Sequence, residues 1–187
     1  MDVGTAVKKF IELTRGTVFS PEEKLELCAT ILSDYKLEAP VGKTPVHIYS
    51  LAIKELGNEF GYKTTLPLAR NFIANYDWSR EGSGQIATEI PSFMCKDKGK
   101  GRNTNVYFKI TDYAIDIAKT KGMTHHPWAE KEKDPERLKR YEFENLDGHA
   151  KNYFLQVLLA DAVNKPESRK RNISIVVESI DQFLKSG

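Results

Sequence analysis

The stretch Lys96-Asp97-Lys98-Gly99-Lys100-Gly101-Arg102-Asn103-Thr104-Asn105 constrains the fold more than any other part of the chain. It is basic, glycine-punctuated and free of apolar side chains, so it reads as the tip between two elements. An apolar run from Ile86 to Cys95 leads in. Val106-Tyr107-Phe108-Lys109-Ile110 leads out, with the β-branched and aromatic content of a strand. The pattern predicts a β-hairpin. Pro91 has no ladder N–H, so the first arm is expected at a sheet edge or broken at that residue. Five Lys/Arg face one Asp between Lys96 and Lys109, whereas the whole chain carries a net charge of only +2. The basic excess is local, which suits a specific polyanion contact better than a general coat.

Short amphipathic helices are expected before the hairpin. Val3, Val7, Phe10, Ile11 and Leu13 form a short helical face. Ser20-Pro21-Glu22-Glu23 is a helix start: Ser20 caps, Pro21 fits the first turn, and Glu23 completes a capping box. That helix is expected to reach Leu37. Thr44-Pro45 opens the next, with Val46, Tyr49, Ala52, Ile53 and Leu56 inward. Leu66-Pro67 opens a third, running to Tyr76, with Leu66, Ala69, Phe72, Ile73 and Tyr76 on one face and Arg70, Asn71 and Asn75 on the other. After the hairpin, Thr111-Asp112 is expected to cap a fourth helix ending at Lys121-Gly122.

From Met123 to Gly148 the chain is charge-dense and poor in apolar residues, which suggests a polar connector with a short helix after Asp134-Pro135. Helices are then predicted over 149–163 and 168–184, turning at Asn164-Lys165-Pro166, as an αα-hairpin. The second carries Ile173, Val176, Val177, Ile180 and Phe183, a face that needs a covering surface. The expected division is 1–122 for the N-terminal helices and hairpin, 123–148 for the connector and 149–187 for the helical hairpin. The fold class is mainly α with a small β-hairpin.

The order helix, helix, helix, strand, basic tip, strand, helix over Pro21 to Gly122 resembles the winged-helix superfamily of DNA-binding domains. The likeness rests on element order and on the Val106–Ala118 segment, not on a diagnostic motif. It implies that the Leu66–Tyr76 helix is a recognition helix and the tip a wing. Arginine pairs with guanine and asparagine with adenine in the major groove, and Arg70, Asn71 and Asn75 supply those groups. Lys98, Lys100, Arg102 and Asn103 on the tip are then placed for phosphate or minor-groove contacts. The implied function is sequence-specific binding of double-stranded DNA, in regulation or in phage or mobile-element biology. Such domains often work as symmetric dimers, so the C-terminal hairpin is expected to build a homodimer, with a chain cut after Gly148 remaining a folded monomer. The competing readings are a solvated helix face and hairpin on a protein-interaction module, or a nuclease or its DNA-recognition part.

Other chemistry has weaker support. Cys28 and Cys95 stand far apart with no zinc-ligand spacing and read as buried small hydrophobes. His125-His126 with Trp128, Glu130 and Glu132 could suggest a metal site, but adjacent histidines diverge on regular structure and no third ligand is fixed. Glu142, Glu144 and Asp147 near Lys151, and Glu130-x-Glu132-Lys133, have the carboxylate–lysine look of a metal-dependent nuclease, a pattern that charge-dense segments produce by chance. No GxSxG, HExxH, Walker or GxGxxG pattern occurs. No cofactor, catalytic residue or metal is assigned, and a non-enzymatic protein is expected. The N-terminus has no signal-like core and no apolar run nears the length of a membrane span, so an intracellular, cytoplasmic protein is expected.

Overall fold

The computed structural model describes residues 62–79 and 105–186, together with Glu12, residues 15–18, Ser20 and Glu23. The described residues are mainly helical, and no strand occurs among them. The chain divides into two compact units, Met1–Phe72 with Glu89–Thr104, and Ile73–Thr88 with Asn105–Gly187. The expected capping box is present: Ser20 N–H donates to Glu23 Oε2 at 2.9 Å, and Glu23 N–H to Ser20 Oγ at 3.2 Å. Ile86 to Cys95 and residues 96–104 of the basic tip lie outside the described residues.

Helix α1 spans Tyr62–Asn75. It starts earlier than its Leu66-Pro67 signal implied, so Pro67 sits inside the helix rather than in its first turn. There it removes one backbone hydrogen bond. Leu66, Ala69 and Ile73 are fully buried, as their spacing required. The C-terminus is closed by Trp78, a buried residue whose indole Nε1–H donates to the Ile73 carbonyl at 2.9 Å. That bond satisfies one of the carbonyls a helix end leaves without an intrahelical partner. Tyr76 lays its ring edge-on to Trp78 at 5.4 Å.

The segment Val106–Ile110, expected as the second strand of the hairpin, is helical. It forms the first turns of α2, Asn105–Thr120. The burial pattern gives the reason. A strand would place Val106, Phe108 and Ile110 on one face. Instead Val106, Tyr107 and Ile110 are buried, Phe108 is half-exposed and Lys109 exposed, and the inward series continues through Ala114, Ile115 and Ala118. The period of 3.6 over sixteen residues overrides the β-propensity of five. Thr111, expected as a cap, lies buried inside the helix, where its hydroxyl donates to the Tyr107 carbonyl at 2.9 Å. The helix stops where Lys121-Gly122 implied. Gly122 takes φ +88°, Met123 N–H bonds the Ala118 carbonyl at 3.0 Å and Gly122 N–H that of Lys119 at 3.2 Å. These two bonds make a Schellman end, which the left-handed conformation at Gly122 permits.

Residues 123–147 form short turns: a 3₁₀ turn at Pro127–Lys131, helix α3 at Pro135–Leu138 capped by Asp134, and 3₁₀ turns at Lys139–Tyr141 and Phe143–Asn145. The short helix after Asp134-Pro135 is thus where the sequence placed it. Despite its charge, the segment buries His126, Phe143 and Leu146. His126 N–H donates to the Tyr141 carbonyl at 2.8 Å beside a single antiparallel bridge between His125 and Glu142.

Helices α4, Gly148–Asn164, and α5, Pro166–Ser186, make the expected hairpin. Asp147 caps α4 by accepting from Ala150 N–H at 2.8 Å. Helix α4 packs against α5, α2 and the Pro127–Lys131 turn. Its buried residues are accordingly Ala150, Phe154, Leu155, Leu158, Leu159 and Ala162, a wide apolar surface rather than one stripe. Helix α5 packs on both α4 and α2, so the apolar face that needed a covering surface finds it within the same chain. Two polar bonds fix the register of this three-helix core. Tyr107 O–H donates to the Asn152 carbonyl at 3.0 Å, and buried Asn172 donates through Nδ2 to the Leu158 carbonyl at 2.9 Å. Ion pairs Lys119–Glu144, Lys121–Glu178 and Lys151–Asp112 ring the core at 3.2–3.5 Å. They are exposed enough to add little.

Candidate functional site

The expected DNA-contacting residues fall into two groups. Lys98, Lys100, Arg102 and Asn103 lie outside the described residues. Arg70, Asn71 and Asn75 lie on α1. Asn71 and Asn75 are exposed and one turn apart, on the strip that also carries exposed Pro67 and Ala74. Arg70, half-buried, borders this strip and donates from Nη1 to Asn71 Oδ1 at 3.1 Å. No carboxylate occurs anywhere on α1. The outward strip is therefore small, amide-bearing and bordered by a guanidinium.

Polar chemistry also gathers at a second place, of which the sequence singled out only His125-His126 and Trp128 with Glu130 and Glu132. His126, Trp128, Tyr141, Phe143, His149, Tyr153 and Phe154 pack ring against ring, with His126 4.6 Å from Trp128 and 5.5 Å from Phe154, and Trp128 5.9 Å from Tyr153. This cluster fastens the 123–147 segment to α4. Its trace in the sequence is the density of aromatic and histidine residues within a charge-rich stretch, which charge counting hides.

His126 occupies the middle of the cluster and is almost wholly buried. Its Nδ1 accepts from Trp128 N–H at 3.1 Å, and its Nε2 lies 3.0 Å from the Ala150 carbonyl. Only the neutral tautomer with the proton on Nε2 satisfies both. Burial drives the ring pKa from 6.5 down to about 4, against the opposing pull of the Ala150 carbonyl and Asp147. With both nitrogens engaged, His126 is a structural pin and has no lone pair to offer a metal or a substrate proton. His125 is turned elsewhere, its Nδ1 2.7 Å from Thr124 Oγ1.

The nuclease-like carboxylates are dispersed in the same way. Glu144 pairs with Lys119, Lys151 pairs with Asp112, Asp147 caps α4, and Glu142 accepts from Asn145 Nδ2. Glu132 accepts from Asp134 N–H at 3.1 Å. Among the described residues no three His, Cys, Asp or Glu side chains converge as a metal-ligand set.

Beside the aromatic cluster lies an open groove of about 590 Å³ between the Pro127–Lys131 turn and α4, with Trp128, Tyr141, Val157 and Ala160 in its walls. Glu130, Glu132, Asp161, Lys131 and Lys165 also line it. Lys165 Nζ pairs with Glu130 and lies 3.7 Å from Asp161 Oδ2. Partial burial raises the Asp161 pKa, an effect that Lys165 counters and Glu130 reinforces. The hydrogen bond to Glu130 raises that of Lys165.

Lys165, Arg169, Lys170 and Arg171 make the start of α5 basic. Arg169, near the start of α5, donates through Nε to the Ala162 carbonyl at 2.5 Å and through Nη2 to the Val163 carbonyl at 3.2 Å. A cation that looks misplaced at one helix N-terminus thus serves the C-terminus of the preceding helix, where the macrodipole favours it.

Comparison with known proteins adds no assignment: no family model, no curated protein and no solved structure matches the chain. Among the described residues no helix is long and apolar enough to cross a membrane.

Proposed function

We propose that the chain binds double-stranded DNA through the outward strip of α1, with the basic 96–103 segment contacting phosphates. The observation that carries this reading is the strip itself: Asn71 and Asn75 exposed one turn apart, Arg70 at their border and no acidic side chain on the helix. A single helix fits the major groove. Asparagine reads adenine and arginine reads guanine by paired hydrogen bonds there, and a carboxylate on the same helix would be repelled by phosphate. The local charge of the 96–103 segment supplies the sequence-independent part of the affinity. Of the winged-helix likeness, the reading keeps the recognition helix and the basic segment. It does not keep a wing strand at Val106–Ile110, because those residues are helical. Sequence-specific, regulatory binding is the form of the function that this chemistry suits.

Single substitutions on the strip test it. On a duplex selected from a random library, Arg70→Ala or Asn71→Ala is expected to cost about 1–3 kcal/mol and to relax preference at one base position. Affinity for unrelated duplex should change little. An equal loss on every sequence would reduce these residues to phosphate contacts, and no loss at all would leave the strip a solvated face.

A second reading is a helical protein-interaction module. The helix at Val106–Ile110 favours it, since the hairpin that would present a wing lacks its second strand. Failure to bind any nucleic acid at low salt would select it.

A further inference from the structure

We infer that residues 123–147 form an acid-released strap, which leaves α4 when His126 is protonated while α2, α4 and α5 stay packed on one another. The inference concerns residues apart from α1 and does not rest on the DNA-binding reading.

The geometry makes His126 the fastening. Its ring stands among Trp128 and Tyr141 of the strap and Phe154 of α4, at 4.6, 6.2 and 5.5 Å. Its two nitrogens close one bond on each side. Nδ1 accepts from Trp128 N–H within the strap, and Nε2–H donates to the Ala150 carbonyl on α4. A second proton goes on Nδ1, opposite the Trp128 N–H, so the imidazolium cannot keep the bonds of the closed strap. The charged groups around the ring do not offset this. On α4, Asp147 favours the proton, but its Oδ1 already caps the helix at Ala150 N–H, and burial of the ring outweighs it. His149 of α4 packs on Trp128. Glu130 of the strap and Asp161 of α4 line an open pocket with His125, His126 and Arg171 of α5, and both carboxylates are paired with Lys165. Helix α2 sends Lys119 to Glu144.

The strap has little else to hold it. Besides His126 it buries Phe143 and Leu146. Its elements are α3, of four residues, and three 3₁₀ turns, all too short to persist away from a surface. Its ion pairs to the helices, Glu130–Lys165 and Glu144–Lys119, are exposed enough to add little. Helices α2, α4 and α5 pack against each other without it. Gly122 and Gly148 stand at its two ends, where the chain can swing away. A histidine in the open strap titrates near 6.5, and the closed one at about 4. Above pH 6.5 neither state carries the proton and the fastening is complete. As pH falls from 6.5 toward 4 the open state alone takes it up, so opening grows about twentyfold between pH 7 and 5.

Amide exchange of the full chain at pH 7 and pH 5 tests this, each rate divided by its intrinsic rate at the same pH. His126 N–H and Trp128 N–H report on the strap, and the buried amides of α2, α4 and α5 on the helices. Strap amides are expected to be at least about tenfold less protected than helix amides at both pH values, which marks an opening smaller than global unfolding. Their protection should fall about twentyfold from pH 7 to 5. In His126→Gln, which keeps a donor and an acceptor, strap protection should change by less than about twofold over the same range. Equal protection of strap and helices would overturn the inference, because the strap would then open only with the whole fold. Strap protection that is the same at both pH values would overturn it as well. So would a twentyfold fall that persists in a folded His126→Gln chain, since His125 or His149 would then control the opening. The wild-type comparison stands by itself if His126→Gln does not fold.

Discussion

A chain that ends at Gly148 is expected to lose the helical structure of Asn105–Thr120 along with the two helices it lacks. Helix α2 has its inward face against α5 and α4, and Tyr107, Ile110 and Ala114 are fully buried there. An isolated helix of sixteen residues is marginal in water. Burying side chains of this size contributes about 1.5–3 kcal/mol each, so exposing Tyr107, Ile110 and Ile115 withdraws on the order of 5–9 kcal/mol. That is comparable with the whole stability of a small domain. The expected result is complete loss of amide-exchange protection over 106–120 in the truncated chain, against strong protection in the full chain. Retained protection in a truncated monomer would mean that some other surface covers α2, and that the hairpin is the separable appendage its sequence suggested.

The second large effect is a pH dependence set by His126. The folded ring titrates at about 4 and an ordinary histidine at 6.5. Above pH 6.5 neither folded nor unfolded chain binds the proton, and the His126 contribution is fully present. As pH falls below 6.5 the unfolded chain takes up a proton that the folded chain refuses, so stability drops by up to about 1.4 kcal/mol per pH unit. The loss reaches about 2 kcal/mol between pH 7 and 5, and roughly 3 kcal/mol once the folded ring titrates. Protonation also places an N–H on Nδ1 against the Trp128 N–H that it now accepts. Denaturant unfolding of the His126→Gln chain should therefore show a lower plateau at neutral pH and a flatter decline from pH 7 to 5. Parallel curves for the two chains would show that folded and unfolded chains take up the His126 proton alike, and that burial does not hold the ring neutral below pH 6.5.

The helical part of the fold was legible where one period ran long enough to declare itself. The α4–α5 hairpin, the stop at Lys121-Gly122, the Asp134-Pro135 start and the Ser20–Glu23 box each rest on a local physical signal, and each is present. The strand expected at Val106–Ile110 does not form, because the eight residues that follow carry the helical period that outweighs the β-propensity of these five. Ala114 and Ala118 continue the same face only if the chain is helical from Asn105. The core positions of the 123–147 segment are not legible for a different reason. Its anchors, His126, Phe143 and Leu146, are widely spaced and set in charge, and nothing in their local spacing announces a core position. Of the candidate site, the outward placement of Asn71 and Asn75 was readable from the apolar stripe on the opposite face of α1. The groove was not, since Trp128, Tyr141 and Asp161 come together only through the packing of the turn on α4.

DNA binding is the central claim, and a salt titration of the full chain on duplex DNA, single-stranded DNA and RNA tests it most directly. The account predicts binding to duplex with a steep fall of affinity as salt rises, and clearly weaker binding to the other two. In a chain with Lys98, Lys100 and Arg102 all replaced by alanine, the slope of log affinity on log salt should become shallower by about one unit for each phosphate no longer neutralised. No measurable duplex binding at low salt would contradict the claim. An unchanged slope in the folded triple variant would remove the basic segment from the interface and leave α1 to bind the duplex alone.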